Sequence, residues 1–161
     1  MSRPAAHQKL VVSILDRLIG QEPAGLPSSP GEPARDLARI KASVKRDLEW
    51  LLNSRRPLFT PPADLRHIGR SLLTFGLPDF TVANLSGTKD QELLRRTIEE
   101  TVRRFEPRLA NVTVRLEAGR EFDRSLRFRI DGMLQVEPEP EPVTFDSVLQ
   151  MNTRDFVVQG E

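Results

Sequence analysis

The sequence lacks cysteine altogether and contains only one tryptophan and two histidines among its 161 residues. Without cysteine, neither a disulfide framework nor a thiolate metal site can form, and a reducing compartment such as the cytosol is permitted. The two histidines, His7 and His67, are far apart in unlike surroundings, so no histidine-rich metal site is expected. A chain of this length suits one domain and needs no such crosslinks to support a core.

Charge imbalance and long apolar runs are missing as well. Lysine and arginine total 24 against 23 acidic residues, so no long-range field attracts a polyanion. Two arginine pairs, at 95/96 and 103/104, are interspersed with acids and lack aromatic neighbours, which favours a solvated helix face over nucleic-acid contact. No run approaches the roughly 20 apolar residues that span a bilayer, and the apolar run at 10–19 lacks a cleavage site. We therefore expect no nucleic-acid partner and no direct membrane insertion.

The common catalytic signatures are also absent. The nine glycines form neither a phosphate-binding loop nor a dinucleotide fingerprint, and there is no G-x-S-x-G elbow. With 23 carboxylates, a pair at glycosidase separation would arise by chance. The sequence predicts no catalytic residue, no metal and no cofactor.

The first 33 residues differ in character from the rest. Residues 8–19 have the apolar stripe of a short amphipathic helix, and residues 20–33 are rich in proline, glycine and serine, which is typical of a flexible linker. We therefore expect an N-terminal helix and linker over residues 1–33 and a folded domain over residues 34–161. The pattern fits equally a helix that packs back on the domain and one that docks on another protein.

Two further helices are predicted before the middle of the chain. Pro33 suits the first turn of a long helix, and a short helix is expected over about 66–75, ended by Gly76 in the left-handed conformation. Trp50 lies beside the centre of the long helix's stripe, where it either flanks the core or is exposed to a partner. The stripe itself comprises Leu37, Ile40, Val44, Leu48 and Leu51.

The stretch 88–116 is predicted to join a helix to a strand. Thr88 and Gln91 have the spacing of a capping box. Pro107 should end the helix at about Phe105, because the residue before a proline leaves helical geometry. The predicted buried face of the helix comprises Leu94, Ile98, Val102 and Phe105, and Val112, Val114 and Leu116 then alternate as in a strand.

Residues 106–108 lie at the corner between that helix and strand. In an extended segment, side chains two residues apart project to the same side about 6–7 Å from each other. Glu106 and Arg108 would then present an acid and a guanidinium together. The pair is either a local ion pair worth at most about 1 kcal/mol if exposed, or a docking point for a partner with a complementary acid and amide.

Alternating residues after this corner predict an antiparallel sheet. Leu126, Phe128 and Ile130 alternate with charged residues, and further strands are expected at 143–149 and 155–158. Gly132 indicates a bulge or a close backbone approach. The predicted fold class is α+β, with N-terminal helices followed by a three- or four-stranded antiparallel sheet packed on them.

Three segments together carry a family resemblance: VKRDLEWLLNSRRP (44–57), SLLTFGLPD (71–79) and RFEPRLANVTV (104–114). They resemble the TssE family, the small baseplate subunit of bacterial type VI secretion systems. That family is similar in turn to the wedge protein of contractile phage-tail baseplates, historically labelled "lysozyme-like". The resemblance covers most of residues 8–150.

The resemblance implies a structural, non-enzymatic protein in the cytoplasm, in a baseplate at the cytoplasmic side of the inner membrane. In the family, a Glu-Pro-Arg motif is implicated in holding the subunit to the wedge components TssF, TssG and TssK. The match carries this partner-binding role onto Glu106, Pro107 and Arg108.

The resemblance also implies a role in assembling the contractile sheath. The family's sheet resembles the strand-exchange portion of the sheath proteins TssB and TssC, which implies a template at an exposed strand edge. The candidate strands here lie near 126–136, 143–149 and 155–158. The alternative from another class, suggested by the historical label, is a peptidoglycan-degrading hydrolase.

Overall fold

The computed structural model describes residues 33–57, 67–80, 85, 87–117, 125–136 and 139–160, and the structural statements below concern these residues. Contacts divide the chain into two units, residues 1–43 and 44–161, and the sheet and the site described here lie within the second. The helix predicted at 8–19 and its linker up to residue 32 lie outside the described residues, so the domain boundary expected near residue 33 stays a prediction.

The first described helix, α1, spans Pro33–Asn53 and begins at the predicted proline. A proline is tolerated there because the first turn of a helix has no intrahelical partner for its N–H groups. Within residues 44–53, the predicted stripe is buried and gains one further leucine. Its buried members are Val44, Leu48, Leu51 and Leu52.

The second helix, α2, spans Thr88–Phe105 and starts differently from the prediction. Gly87 is the N-cap residue, and its carbonyl accepts the backbone N–H of Gln91 at 3.0 Å. The side chain of Gln91 donates to the Leu85 carbonyl instead (2.8 Å), so the predicted capping box does not form. The predicted end at Phe105 is confirmed, as is burial of Leu94, Ile98 and Val102. Phe105, the last residue of the predicted buried face, is only half-buried.

Two 3-10 turns replace the single short helix predicted at 66–75. They span Ile68–Arg70 and Leu72–Thr74. Ser71 separates them because its backbone is extended (φ −94°, ψ 170°). Gly76 has the predicted left-handed conformation (φ +94°), and a Cβ atom there would lie 2.4 Å from the Ser54 carbonyl oxygen.

The strands form one short parallel pair and one four-stranded antiparallel sheet. The pair is β1 (Arg55–Arg56) and β2 (Leu77–Pro78). The sheet comprises β3 (Leu109–Glu117), β4 (Ser125–Leu134), β5 (Glu141–Gln150) and β6 (Phe156–Gly160). Its order is β3-β4-β5-β6, with all neighbours antiparallel. The predicted α+β class is confirmed.

A β-bulge interrupts β3 opposite Gly132. Asn111 and Val112 together face this single glycine across the pair, and Asn111 has φ +53°, a left-handed conformation that asparagine tolerates. Leu109 and Val112 are three residues apart, yet both are buried. The extra residue makes this possible, because strict alternation would send them to opposite faces.

One face of the sheet forms the core and the other carries charge. On the charged face, Arg129 forms ion pairs with Glu117 and Asp146, each at 3.0 Å. The helix α2 contacts β3. The buried sheet residues include Val112, Val114, Phe128, Ile130, Leu134, Val143, Phe145, Leu149, Phe156 and Val158.

In the described part of the chain, no helix is long and apolar enough to cross a membrane.

Candidate partner-binding site

Glu106, Pro107 and Arg108 connect α2 to β3 through a tight turn. The backbone N–H of Leu109 donates to the Glu106 carbonyl at 3.1 Å, the bond that closes a β-turn. The extended conformation expected for this segment is therefore wrong from Pro107 onward. Pro107 is exposed at the turn, and the turn folds Arg108 back towards Glu106.

The side chains of Glu106 and Arg108 meet in a two-point ion pair. Arg108 Nε lies 2.7 Å from Glu106 Oε1, and Nη2 lies 2.5 Å from Oε2. The backbone N–H of Arg108 also donates to Oε1 at 3.2 Å. Glu106 is only 4% exposed, so the acid is buried under the guanidinium and is not presented to solvent. Such parallel, charge-assisted bonds fix both distance and orientation.

Asp47 of α1, to which no sequence motif pointed, is a third member of this arrangement. Its Oδ2 accepts from Arg108 Nη2 at 2.6 Å. Burial disfavours the charged guanidinium, but hydrogen bonds and attraction from Glu106 and Asp47 outweigh this effect and raise the pKa of Arg108 above its ordinary value. We refer to Asp47, Glu106 and Arg108 as the corner cluster. It connects α1 to the turn between α2 and β3.

More accessible side chains adjoin the corner cluster on α1. Arg46 donates to Asp47 Oδ1 at 3.2 Å, and its guanidinium carbon lies 5.8 Å from the centre of the Trp50 ring, within the range of a cation–π contact. Trp50 is 43% exposed, so it does not lie buried as a flank of the core. We call Arg46, Trp50 and Pro107 the corner surface.

The second feature of interest is the outer edge of β6. Among the described residues, no further strand pairs with it. The other two strands proposed as templates, β4 and β5, are interior strands and have both edges paired. Only the third candidate segment, at 155–158, is therefore part of an edge strand.

The backbone groups on that edge are only partly occupied. In an antiparallel pair, alternate residues direct their N–H and C=O groups to the neighbouring strand. Phe156 directs its groups outward, where Asn53 holds both: Asn53 Nδ2 donates to the Phe156 carbonyl (2.9 Å), and the Phe156 N–H donates to Asn53 Oδ1 (2.7 Å). By the same alternation, Val158 and Gly160 direct theirs outward beyond this clamp.

Comparison with protein-family models identifies a class of structural baseplate components. The model described as baseplate wedge protein gp25 matches residues 38–139, more than half of the chain and a range that contains the whole corner cluster. Proteins of this family are structural in phage tails. The chain belongs to the baseplate wedge protein gp25 family, the family that includes TssE. Searches of curated proteins and of solved structures gave no significant match.

Proposed function

We propose that the chain is a structural subunit of a type VI secretion baseplate that joins the wedge complex and templates assembly of the contractile sheath. Membership of the baseplate wedge family carries this proposal, and the resemblance of three segments to TssE directs it to a secretion system. Its partners are then TssF, TssG and TssK in the wedge and TssB and TssC in the sheath. The protein acts without catalysis, on the cytoplasmic side of the inner membrane.

The corner supports the docking part of the proposal. Tryptophan and arginine are the residues that most often dominate the free energy of protein–protein binding, and Trp50 is exposed beside Arg46. Pro107 lies in a turn held by the buried Glu106–Arg108 pair, so little conformational entropy is lost when a partner binds it. We assign the wedge contact to Glu106, Pro107 and Arg108, with Pro107 touching the partner and Glu106 fixing the turn.

The outer edge of β6 supports the templating part. Unpaired backbone groups on an edge strand recruit a strand from another chain, and main-chain hydrogen bonds then supply the affinity. Val158→Pro removes one outward N–H without removing a hydrogen bond to β5. We expect this variant to lose binding to TssB–TssC, whereas Gln159→Ala, at an exposed neighbouring position, binds normally. Normal binding by the proline variant would argue against the β6 template.

Membership of the wedge has its own direct test. The wild-type chain should co-purify with co-expressed TssF and TssG. Failure of the folded protein to associate with them, at concentrations where the two remain associated with each other, would contradict the assignment to a type VI baseplate.

Two carboxylates, Glu92 and Glu106, do not favour the hydrolase alternative. A glycosidase needs a general acid whose pKa is raised, whereas hydrogen bonds from Arg95 and Arg96 lower the pKa of Glu92 to about 2. Glu106, which is buried, is bonded to the guanidinium of Arg108. Purified cell walls should keep their turbidity in the presence of the protein. Clearing that a carboxylate substitution abolishes would overturn the structural assignment.

A further inference from the structure

The edge of the sheet opposite β6 is covered by side chains of α2. Glu99 Oε2 accepts the backbone N–H of Val114 at 3.0 Å, and Arg95 Nη1 donates to the Val114 carbonyl at 2.8 Å. Arg103 donates to the Val112 carbonyl through Nε at 3.0 Å and Nη2 at 2.6 Å. Val112 and Val114 lie in β3, whose only strand partner in the described part of the chain is β4. The three side chains therefore take the places that another strand would use.

These three residues form a continuous row on the helix, which we call the edge row. They are spaced four apart and so lie on one side of α2. Glu99 bonds to Arg95 at 2.9 Å and to Arg103 at 2.8 Å, so each ion pair holds the next side chain over the edge. Each member of the row bonds both to a neighbour and to the backbone of β3.

We propose that the edge row closes β3 to strand addition, so that the sheet accepts a partner strand at β6 alone. An open edge at Val112 and Val114 would pair with the same edge of a second copy of this chain, because identical edges related by a two-fold axis are self-complementary. The significance for sheath assembly rests on the strand addition proposed at β6. A sheet with one open edge allows sheath strands to add at β6 and at no other edge. The closure of β3 itself can be tested without any sheath protein.

The competing explanation is that the row only anchors α2 to the sheet. That explanation is weakened by the other contacts of the helix, since Leu94, Ile98 and Val102 already bury its inner face. The pair that Glu99 forms with the half-exposed Arg103 adds little to folding stability. The side chains of the row also bond to the backbone N–H and C=O groups of β3. These are the groups that an added strand would bind.

A triple alanine variant of the edge row tests the proposal. Its matched control replaces three exposed residues one position further along the same helix, with the same change in net charge: Arg96, Glu100 and Arg104. Hydrogen exchange at the Val114 N–H and sedimentation velocity are measured over a range of protein concentrations. At low concentration the edge-row variant should exchange this proton about tenfold faster than the control, the effect of losing one hydrogen bond.

At high concentration the edge-row variant should form dimers in which protection of the Val114 N–H returns. Pairing through β6 cannot protect this proton, so the readout is specific to β3. If exchange accelerates but stays fast at every concentration, the row merely anchors the helix and the proposal fails. If the triple variant does not unfold cooperatively, the same two outcomes are scored with Glu99→Ala, which frees the Val114 N–H and removes both ion pairs of the row. Loss of sheath binding by Val158→Pro is scored separately, so failure of the β6 template is distinguished from failure of β3 closure.

Discussion

Arg108 and Asp47 are 61 positions apart in the sequence, and a 2.6 Å ion pair joins them. Because Arg108 also bonds to Glu106 through two nitrogen atoms, one guanidinium connects α1 to the turn that precedes β3. The Glu-Pro-Arg motif therefore serves the fold as well as the proposed docking. Substitutions here must be judged for stability before they are judged for binding.

Breaking the corner cluster should destabilise the fold. Arg108→Ala leaves the carboxylate of Glu106 buried without its guanidinium, and removal of one partner from a buried pair costs about 3 kcal/mol. An exposed pair, as the sequence alone allowed, would contribute at most about 1 kcal/mol. Urea unfolding distinguishes these values. In the double variant Glu106→Gln/Arg108→Ala the buried charge is gone. The free energy of unfolding should therefore fall by less than the sum of the decreases in the two single variants. Additive losses would show that the two residues are not coupled.

The Asn53 clamp should control fraying of β6. Asn53→Ala removes two hydrogen bonds to the backbone of Phe156, with an expected loss of about 2 kcal/mol. Hydrogen exchange should accelerate first at the Phe156 N–H. Asn53→Asp keeps an acceptor for this N–H but sets a carboxylate oxygen against the Phe156 carbonyl oxygen, so its effect should be at least as large as that of Asn53→Ala. Equal exchange in all three proteins would show that other contacts hold β6 to α1.

Gly76 should be the least replaceable of the glycines described. An alanine there must adopt φ near +94° and place its Cβ 2.4 Å from the Ser54 carbonyl oxygen, at a cost of about 2 kcal/mol or more. Gly69→Ala is the control, because no atom lies within 4 Å of its added Cβ. Thermal melting should show a clear drop for the first variant and almost none for the second. Similar melting temperatures would contradict the strain argument.

Stability should fall in acid partly through Glu99. Burial alone would raise the pKa of Glu99, but the Val114 N–H and the charges of Arg103 and Arg95 outweigh it and lower the pKa below its ordinary value near 4.5. A carboxylate with a depressed folded pKa contributes stability that is present above its unfolded pKa and is lost as pH falls through the folded pKa. Urea midpoints should therefore decrease below about pH 4.5, and Glu99→Gln should flatten the decrease. High salt screens the exposed Glu92 pairs more than the hydrogen bond from the Val114 N–H to Glu99. An unchanged slope in Glu99→Gln would contradict the contribution of Glu99.

Local signals predicted most of the elements. Pro107 alone places the end of α2, because its effect on the preceding residue needs no tertiary context. The alternation around Phe128 and Ile130 predicts a strand with one buried face, and that face is buried. The capping box failed because Gly87 and the Leu85 carbonyl offered Gln91 bonds that the local rule does not consider.

Long-range relationships were beyond the sequence. Asp47 is one of many acids on helix surfaces, and only its placement beside Arg108 reveals its role. A hint was available in its position, because Asp47 lies three residues after Val44 and four before Leu51 and so borders the buried stripe of α1. The difference between the two sheet edges was equally hidden, since it depends on strand order and on the reach of Glu99 to Val114.

The most direct test of the account is capture of purified variants by immobilised TssF–TssG. Pro107→Glu and Trp50→Ala alter the corner surface without removing a member of the corner cluster, so both should still unfold cooperatively and should lose capture. Arg104→Ala, exposed at the end of α2, is the control and should bind as wild type does. Wild-type capture by both corner-surface variants would contradict the assignment of this corner as the wedge contact.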